Sequence, residues 1–184
     1  MDANAYFLAR PAAVDREDAL AFKREFLSRG EFIQGSCLWL EYEDYDRWLK
    51  WLADSEAGRV PQGRIGSTTL FTCRRSDGRI VGIVDIRHSL SPFLLERGGH
   101  IGYSVRSSQR RQGVATAQLA LALEECRKLG IDRALVTCDK DNLGSARTIQ
   151  KNGGVLENEV AEGSEVIQRY WINILGTTSP TVLI

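Results

Sequence analysis

Apolar residues recur along this chain with two different periods, and the change between them organises it. Tyr6 to Arg10 reads as a short first strand ended by Pro11. Ala19, Phe22 and Phe26 then fall at helical spacing behind Asp15 and Asp18, so a capped helix is expected to about Ser28, with Gly30 just past its end. A connecting loop, Gly35 to Asp44, leads into a second helix whose stripe is Tyr45, Trp48, Leu49 and Leu52. Ser55 to Gly66 holds three glycines and Pro61 and is loop.

From Ser67 the period shortens to two. Thr69, Phe71 and Cys73 alternate with polar neighbours, Asp77 and Gly78 form a hairpin turn, and Ile80 to Ile86 is the antiparallel partner strand. The 11-residue connection Ser89 to Gly99 carries Pro92, Phe93, Leu94 and Leu95, and an apolar connection of that length is expected to cover something. His100 to Val105 is the next strand. A helix follows with Ala115, Leu119, Ala122, Cys126 and Leu129 on one face and Glu124 and Lys128 on the other, stopped by Gly130. Arg133 to Cys138 reads as a buried strand. Asp141 or Asn142 caps a short helix through Lys151 that Gly153 and Gly154 end, and Val155 to Val160 with Glu165 to Ile174 makes a closing hairpin. The pattern is α/β in the mixed, α+β sense, with one domain over residues 1–176 and a frayed tail over 177–184.

Composition narrows the function classes. At 184 residues there is room for one full core but not two. Lys plus Arg and Asp plus Glu number 24 each, so no net field draws the chain to nucleic acid or an anionic membrane. The expected partner is a small molecule or a peptide, with no nucleic acid and no membrane, and the chain is read as a monomer or homodimer. Cys37, Cys73, Cys126 and Cys138 lack metal or redox spacing and read as reduced residues of a cytoplasmic protein. The N-terminal stretch lacks a basic region followed by an apolar run, and no segment approaches the ~18 apolar residues of a membrane span.

The chemistry concentrates between His100 and Glu125. A strand runs into a polar turn, Arg110, Arg111, Gln112 and Gly113, which opens directly into the long helix. A helix starting in a tight turn leaves its first N–H groups unpaired and its positive dipole end exposed, a geometry that favours a phosphate. Gly113 allows close backbone approach, and Ala115 keeps the first turn free of bulk.

Arg110, Gly113 and Ala115 resemble the Arg/Gln-x-x-Gly-x-Gly/Ala signature of the GNAT acetyltransferases, and Asn142, Ser145 and Ala146 resemble that family's Asn-x-x-Ser/Ala element. The likeness extends from about Arg79 to Trp171. Lys151 to Gly154 and the late Arg169, Tyr170 and Trp171 resemble a little-characterised bacterial branch of predicted acetyltransferases. The resemblance implies a GNAT-like fold, a mixed, mostly antiparallel sheet of about six to seven strands with helices on both faces and splayed fourth and fifth strands. It also implies acetyl coenzyme A as cosubstrate and no metal. The pyrophosphate would sit on backbone N–H groups from Gln112 through Val114 and Ala115 to Thr116, with Arg110 and Arg111 as ion partners. The pantetheine arm would pair with the strand edge at Tyr103, Ser104 and Val105, and with Asn142 and Ser145.

For the transfer, His88 and His100 bracket one connection and are the candidate bases, with structural strand-end histidines as the alternative. A backbone N–H near Val105 would polarise the thioester. The resemblance breaks at two positions. Ile149 stands where many members carry a Tyr that protonates the leaving thiolate, and Gly154 stands in place of a Phe. Tyr103 and Tyr170 are the candidate substitutes. Glu41, Glu43, Asp44 and Asp46, interleaved with Trp39, Tyr42 and Tyr45, suggest a wall for a cationic amine acceptor, or else an ordinary helix start. The leading expectation is direct acetyl transfer to a primary amine; a non-catalytic acyl coenzyme A binding or sensing module and an interaction domain remain as alternatives.

Overall fold

The computed structural model describes residues 5–174. In chain order the elements are β1 (Tyr6–Ala9), α1 (Arg16–Ser28), α2 (Tyr45–Glu56), β2 (Ser67–Arg74), β3 (Ile80–Arg87), β4 (Ile101–Val105), α3 (Val114–Lys128), β5 (Arg133–Asp139), α4 (Leu143–Lys151), β6 (Val155–Glu162) and β7 (Glu165–Asn173). The strands form two antiparallel sheets, ordered β1-β2-β3-β4 and β5-β7-β6. The frayed tail expected over 177–184 lies outside the described residues.

Alternation along β2 and β3 builds a core on each face. Phe71, Cys73, Ile80 and Ile83 meet Ala19, Phe22 and Phe26 of α1 and Trp48 and Leu52 of α2, with Trp39 stacked on Trp48 at 4.4 Å between ring centroids. On the other face Leu70, Val84, Ile86 and Ile101 meet α3, β5, α4 and β7. Asp15 caps α1, Asp44 caps α2 and Asn142 caps α4 with their side-chain oxygens, as expected of these residue types. Among the described residues no helix is long and apolar enough to cross a membrane.

Several expectations needed correction. The buried stripe of α3 is Val114, Gln118, Leu119, Ala122 and Cys126, and Leu129, its C-cap, is 41 % exposed. The helix is turned so that Gln118 faces Gly82, where any side chain on the strand would collide with it. The pairs on its outer face are Arg127 with Glu124 and Lys128 with Glu125, not Glu124 with Lys128. For the acidic and aromatic segment Glu41 to Asp46, the helix-start alternative is the one borne out: Asp44 caps α2, Asp46 pairs with Arg16, and Trp39 and Tyr45 are core residues.

Candidate active site

β4 ends the first sheet, and its outer edge faces a gap. At the N-terminal end of β4, His100 closes that gap: its N–H donates to the Leu135 carbonyl at 2.7 Å, and its Nδ1 accepts the Leu135 N–H at 3.0 Å. Gly99, at φ +64, lets the chain pass so close to Leu135 that a side chain there would strike the Leu135 carbonyl. Beyond this joint the strands belong to separate sheets, as expected for splayed fourth and fifth strands. The Tyr103 hydroxyl and Ser145 Oγ, 2.8 Å apart, bridge from β4 to α4.

The ladder to β3 decides which groups of β4 remain available. Arg87 N–H donates to His100 O at 2.8 Å and Arg106 N–H to Val81 O at 2.9 Å, at the two ends of the pairing. Because antiparallel bonding alternates, Gly102 and Ser104 spend their backbone groups on β3, whereas Tyr103 and Val105 turn theirs to the gap. Ser104, expected to offer backbone to a ligand, therefore does not.

This edge runs into the turn before α3. Arg111 (φ 62) and Gly113 (φ 84) both take the left-handed conformation, and no side chain caps the helix at Gly113. Ala117 N–H is the first to close a helical bond, to Gly113 O at 3.1 Å. The N–H groups of Val114, Ala115 and Thr116 are thus left at the positive end of the helix dipole, a concavity suited to an anion. α1 anchors the turn from behind. Arg106, 1 % exposed, donates to Asp18 Oδ1 at 2.9 Å, and Glu25 accepts from Ser107 Oγ at 2.6 Å and Ser108 N–H at 3.2 Å.

The two arginines of the turn differ. Arg110 is already engaged by Glu31 and by the Val105 carbonyl, to which its Nε donates at 3.0 Å. Hydrogen bonds from Arg110 and Arg29 hold the Glu31 carboxyl down to about 2. Arg111 is exposed and forms no ion pair among the described residues. Gln112 folds back to donate to Ser108 O at 3.1 Å.

The candidate catalytic side chains separate. Burial, with Arg87 adding to it, pushes His100 down to about 4, so it is a neutral ring wedged between β4 and β5 near Trp171. His88 lies at the same end of the hairpin but faces β2, its Nε2 2.9 Å from Thr68 Oγ1. Burial raises Tyr103 to about 12 against the opposing Ser145 hydrogen bond, so its hydroxyl stays protonated at neutral pH. Tyr170 donates to Gln168 at 2.7 Å. Asn142 Oδ1 accepts the Ser145 N–H at 3.1 Å, which leaves the amide nitrogen of Asn142 as its donor. Ile149 is fully buried, and a side chain at position 154 would run into Ile149 Cγ2. The two departures from the family pattern are therefore one packing unit.

A cavity of about 320 Å³ opens on the α1/α2 face of the same sheet, between the segment Phe32 to Leu38 and the π-helical turn Leu94–Gly98. Gly35, at φ +74, presses on Gly102 of β4, where a side chain would collide with the Gly102 carbonyl. The floor is Asp85, 4 % exposed, which accepts from Thr69 Oγ1 at 2.8 Å. Burial raises its carboxyl, opposed by Arg87. Sequence reasoning missed Asp85, although an acid in the apolar run IVGIVDIR is the kind of signal that should have singled it out.

Comparison with known proteins agrees with this geometry. No curated protein matches the sequence. Among solved structures, the chain superposes with a TM-score of 0.60 on YncA from Salmonella typhimurium with acetyl-CoA, at 15% identity, covering 97% of this chain and 99% of that one. The score is 0.61 with the ribosomal-protein-S5-alanine acetyltransferase of Vibrio fischeri, at 15% identity over 91% of each chain. It is also 0.61 with a spermidine N-acetyltransferase chimera built from Vibrio cholerae SpeG and hSSAT, at 14% identity over 92% of this chain and 96% of that one. The family model for the acetyltransferase (GNAT) domain matches residues 8–155, and the chain belongs to the GNAT acetyltransferases, an acyltransferase family.

Proposed function

We propose that residues 1–176 form one cytoplasmic domain that transfers the acetyl group of acetyl coenzyme A to a primary amine, directly and without an acyl-enzyme. The observation that carries this reading is the continuity of an open strand edge, at the backbone of Tyr103 and the N–H of Val105, with an uncapped helix start at Val114 to Thr116. The edge suits the amides of a pantetheine arm, which would otherwise be buried unsatisfied, and the helix start suits a pyrophosphate. The acetyl-CoA bound to YncA supports the same choice of ligand. Bound acetyl coenzyme A supplies a thioester carbonyl open to attack and a thiolate that leaves.

The chain's own residues then divide the work. The Tyr103 N–H faces the gap and is the donor to a developing oxyanion; the Tyr103 hydroxyl, protonated at neutral pH, is the proton donor that Ile149 does not provide. Arg111 and the first N–H groups of α3 hold phosphate, and the Asn142 amide donates to the pantetheine arm. His100 is a positioning residue that sets where the gap opens, since a ring held near 4 is too weak a base for an amine. The relatives that acetylate a ribosomal-protein alanine or spermidine support an amine acceptor, small or peptidic.

The sealed Ile149 and Gly154 pair favours one second reading, an acyl coenzyme A sensor without turnover. Coenzyme A thiol release, followed over a panel of primary amines with acetyl coenzyme A in excess, separates the two. Amine-dependent release above the hydrolysis background supports transfer; background release with every amine, alongside intact cofactor binding, leaves the sensor.

A further inference from the structure

Asp85 is costly where it stands. A carboxylate on the middle strand of a buried sheet loses its hydration, and such a group is retained when something compensates it. Its compensation inside the protein comes from two hydroxyls and one guanidinium. Thr69 Oγ1 donates at 2.8 Å, Ser67 gives a second side-chain hydrogen bond, and Arg87 Nε forms an ion pair 3.6 Å from Oδ2. The Nη1 of Arg87 is directed to Gly98 O at 3.0 Å and Gly99 O at 3.3 Å. The remaining titratable neighbours are His88, just past the end of the strand, and Arg64 at the cavity rim.

The walls are of a different character. Phe32 and Phe93, 65% and 66% exposed, stand at the mouth, and Trp51 lines the interior with its Nε1 buried and without a hydrogen-bond partner among the described residues. Exposed rings converging on a cavity that ends in a carboxylate match a molecule with a cationic end and a flat apolar body. Position matters as well, because Asp85 pairs with Gly102 in the β3/β4 register, so the floor lies one strand from the edge at Tyr103.

Building on the acetyl-transfer reading, we propose that this cavity receives the acceptor as a primary amine on a flat apolar body, its body between Phe32, Phe93 and Trp51 and its ammonium on Asp85, whose carboxylate takes the proton that leaves the nitrogen neutral for attack on the thioester. A folded protein does not fit a space of about 320 Å³, and a peptide would enter only by its first residue.

The test compares 2-phenylethylamine with 2-phenylethanol, the same body without the charge, by titration calorimetry at neutral pH with and without coenzyme A. The amine should bind about tenfold tighter or better, as expected of one charge-assisted hydrogen bond. Asp85→Asn should abolish that preference and leave the alcohol's affinity unchanged. Should the variant fail to fold, wild-type protein carrying 13C-labelled aspartate carboxyls serves instead: the Asp85 resonance should move with the amine and stay with the alcohol. Equal affinities in the wild type, a preference that survives in Asp85→Asn, or no binding of either compound overturns the assignment. The shift in melting midpoint on adding acetyl coenzyme A is read in parallel samples without amine. A normal shift with no amine preference rejects the seat and keeps acetyl transfer; an absent shift rejects acetyl transfer, and the amine and alcohol comparison still decides the seat.

Discussion

Gly35→Ala is a sharp perturbation because two independent costs coincide at one atom. At φ +74 an L residue occupies the left-handed region, which costs about 1–2 kcal/mol. The added methyl also lands on the carbonyl of Gly102, a backbone group of β4 that cannot rotate aside. Overpacking of that kind costs about 1–3 kcal/mol, so the total is about 2–5 kcal/mol. Gly30→Ala is the matched control, since Gly30 has φ +65 and open space around its would-be methyl, and only the backbone cost applies. For a protein of this size each kcal/mol lowers the melting midpoint by about 2–4 °C. Calorimetry should therefore place Gly35→Ala about 2–12 °C below Gly30→Ala. The segment should also lift from β4, weakening 2-phenylethylamine while leaving the response to acetyl coenzyme A intact. Equal midpoints for the two variants would refute the packing of this segment on β4, and with it the shape assigned to the cavity.

Three further outcomes follow from the site. Tyr103→Phe should slow thiol release by about 100-fold or more if its hydroxyl protonates the leaving group, with the cofactor-induced melting shift unchanged; an unaltered rate removes Tyr103 from the chemistry. Arg111→Gln should weaken acetyl coenzyme A about tenfold, one charge-assisted contact, without lowering stability, whereas Arg110→Gln should lower both because Arg110 also ties Glu31 to Val105; calorimetric titration and melting curves distinguish them. His100 stays unprotonated in the folded protein down to about 4, while the unfolded chain takes up a proton near 6.5. Acid therefore favours unfolding across that window, and urea titrations should show about 2 kcal/mol lost to this group between pH 7 and pH 5. His100→Gln should lack that part of the loss, and an identical pH dependence would contradict the burial argument.

Local chemistry carried most of the elements. Asp15, Asp44 and Asn142 announce helix starts because a short side-chain oxygen reaches its own backbone two or three residues on, and the Asp77-Gly78 turn specifies its hairpin in the same local way. The cradle was legible for the same reason, since Gly113 and the helix it opens are contiguous. What could not be read were facings set by distant partners. Glu41 to Asp46 could be read as an acceptor wall or as a helix start, and the choice rests on distant partners: Trp39 and Tyr45 are drawn inward by Phe22 and Phe71, and the segment just before them, at Gly35, lies on β4. Arg110 reads from the sequence as an ion partner for phosphate alone, and only the fold brings Glu31, far off in sequence, beside it. Asp85 stood in plain view within an apolar strand, but only the fold shows that it ends a cavity.

Binding of acetyl coenzyme A to wild type and to Gly113→Glu tests the central assignment most directly. At about 100 times its dissociation constant a ligand adds about 2.7 kcal/mol of stability, which corresponds to a rise of about 5–11 °C in the melting midpoint. Wild type should show that rise, and Gly113→Glu, which sets a negative side chain into the cradle and strains its left-handed backbone, should show none. A wild-type midpoint that does not move at saturating acetyl coenzyme A, or a Gly113→Glu variant that responds as fully as wild type, would contradict the assignment of this turn as the cofactor site.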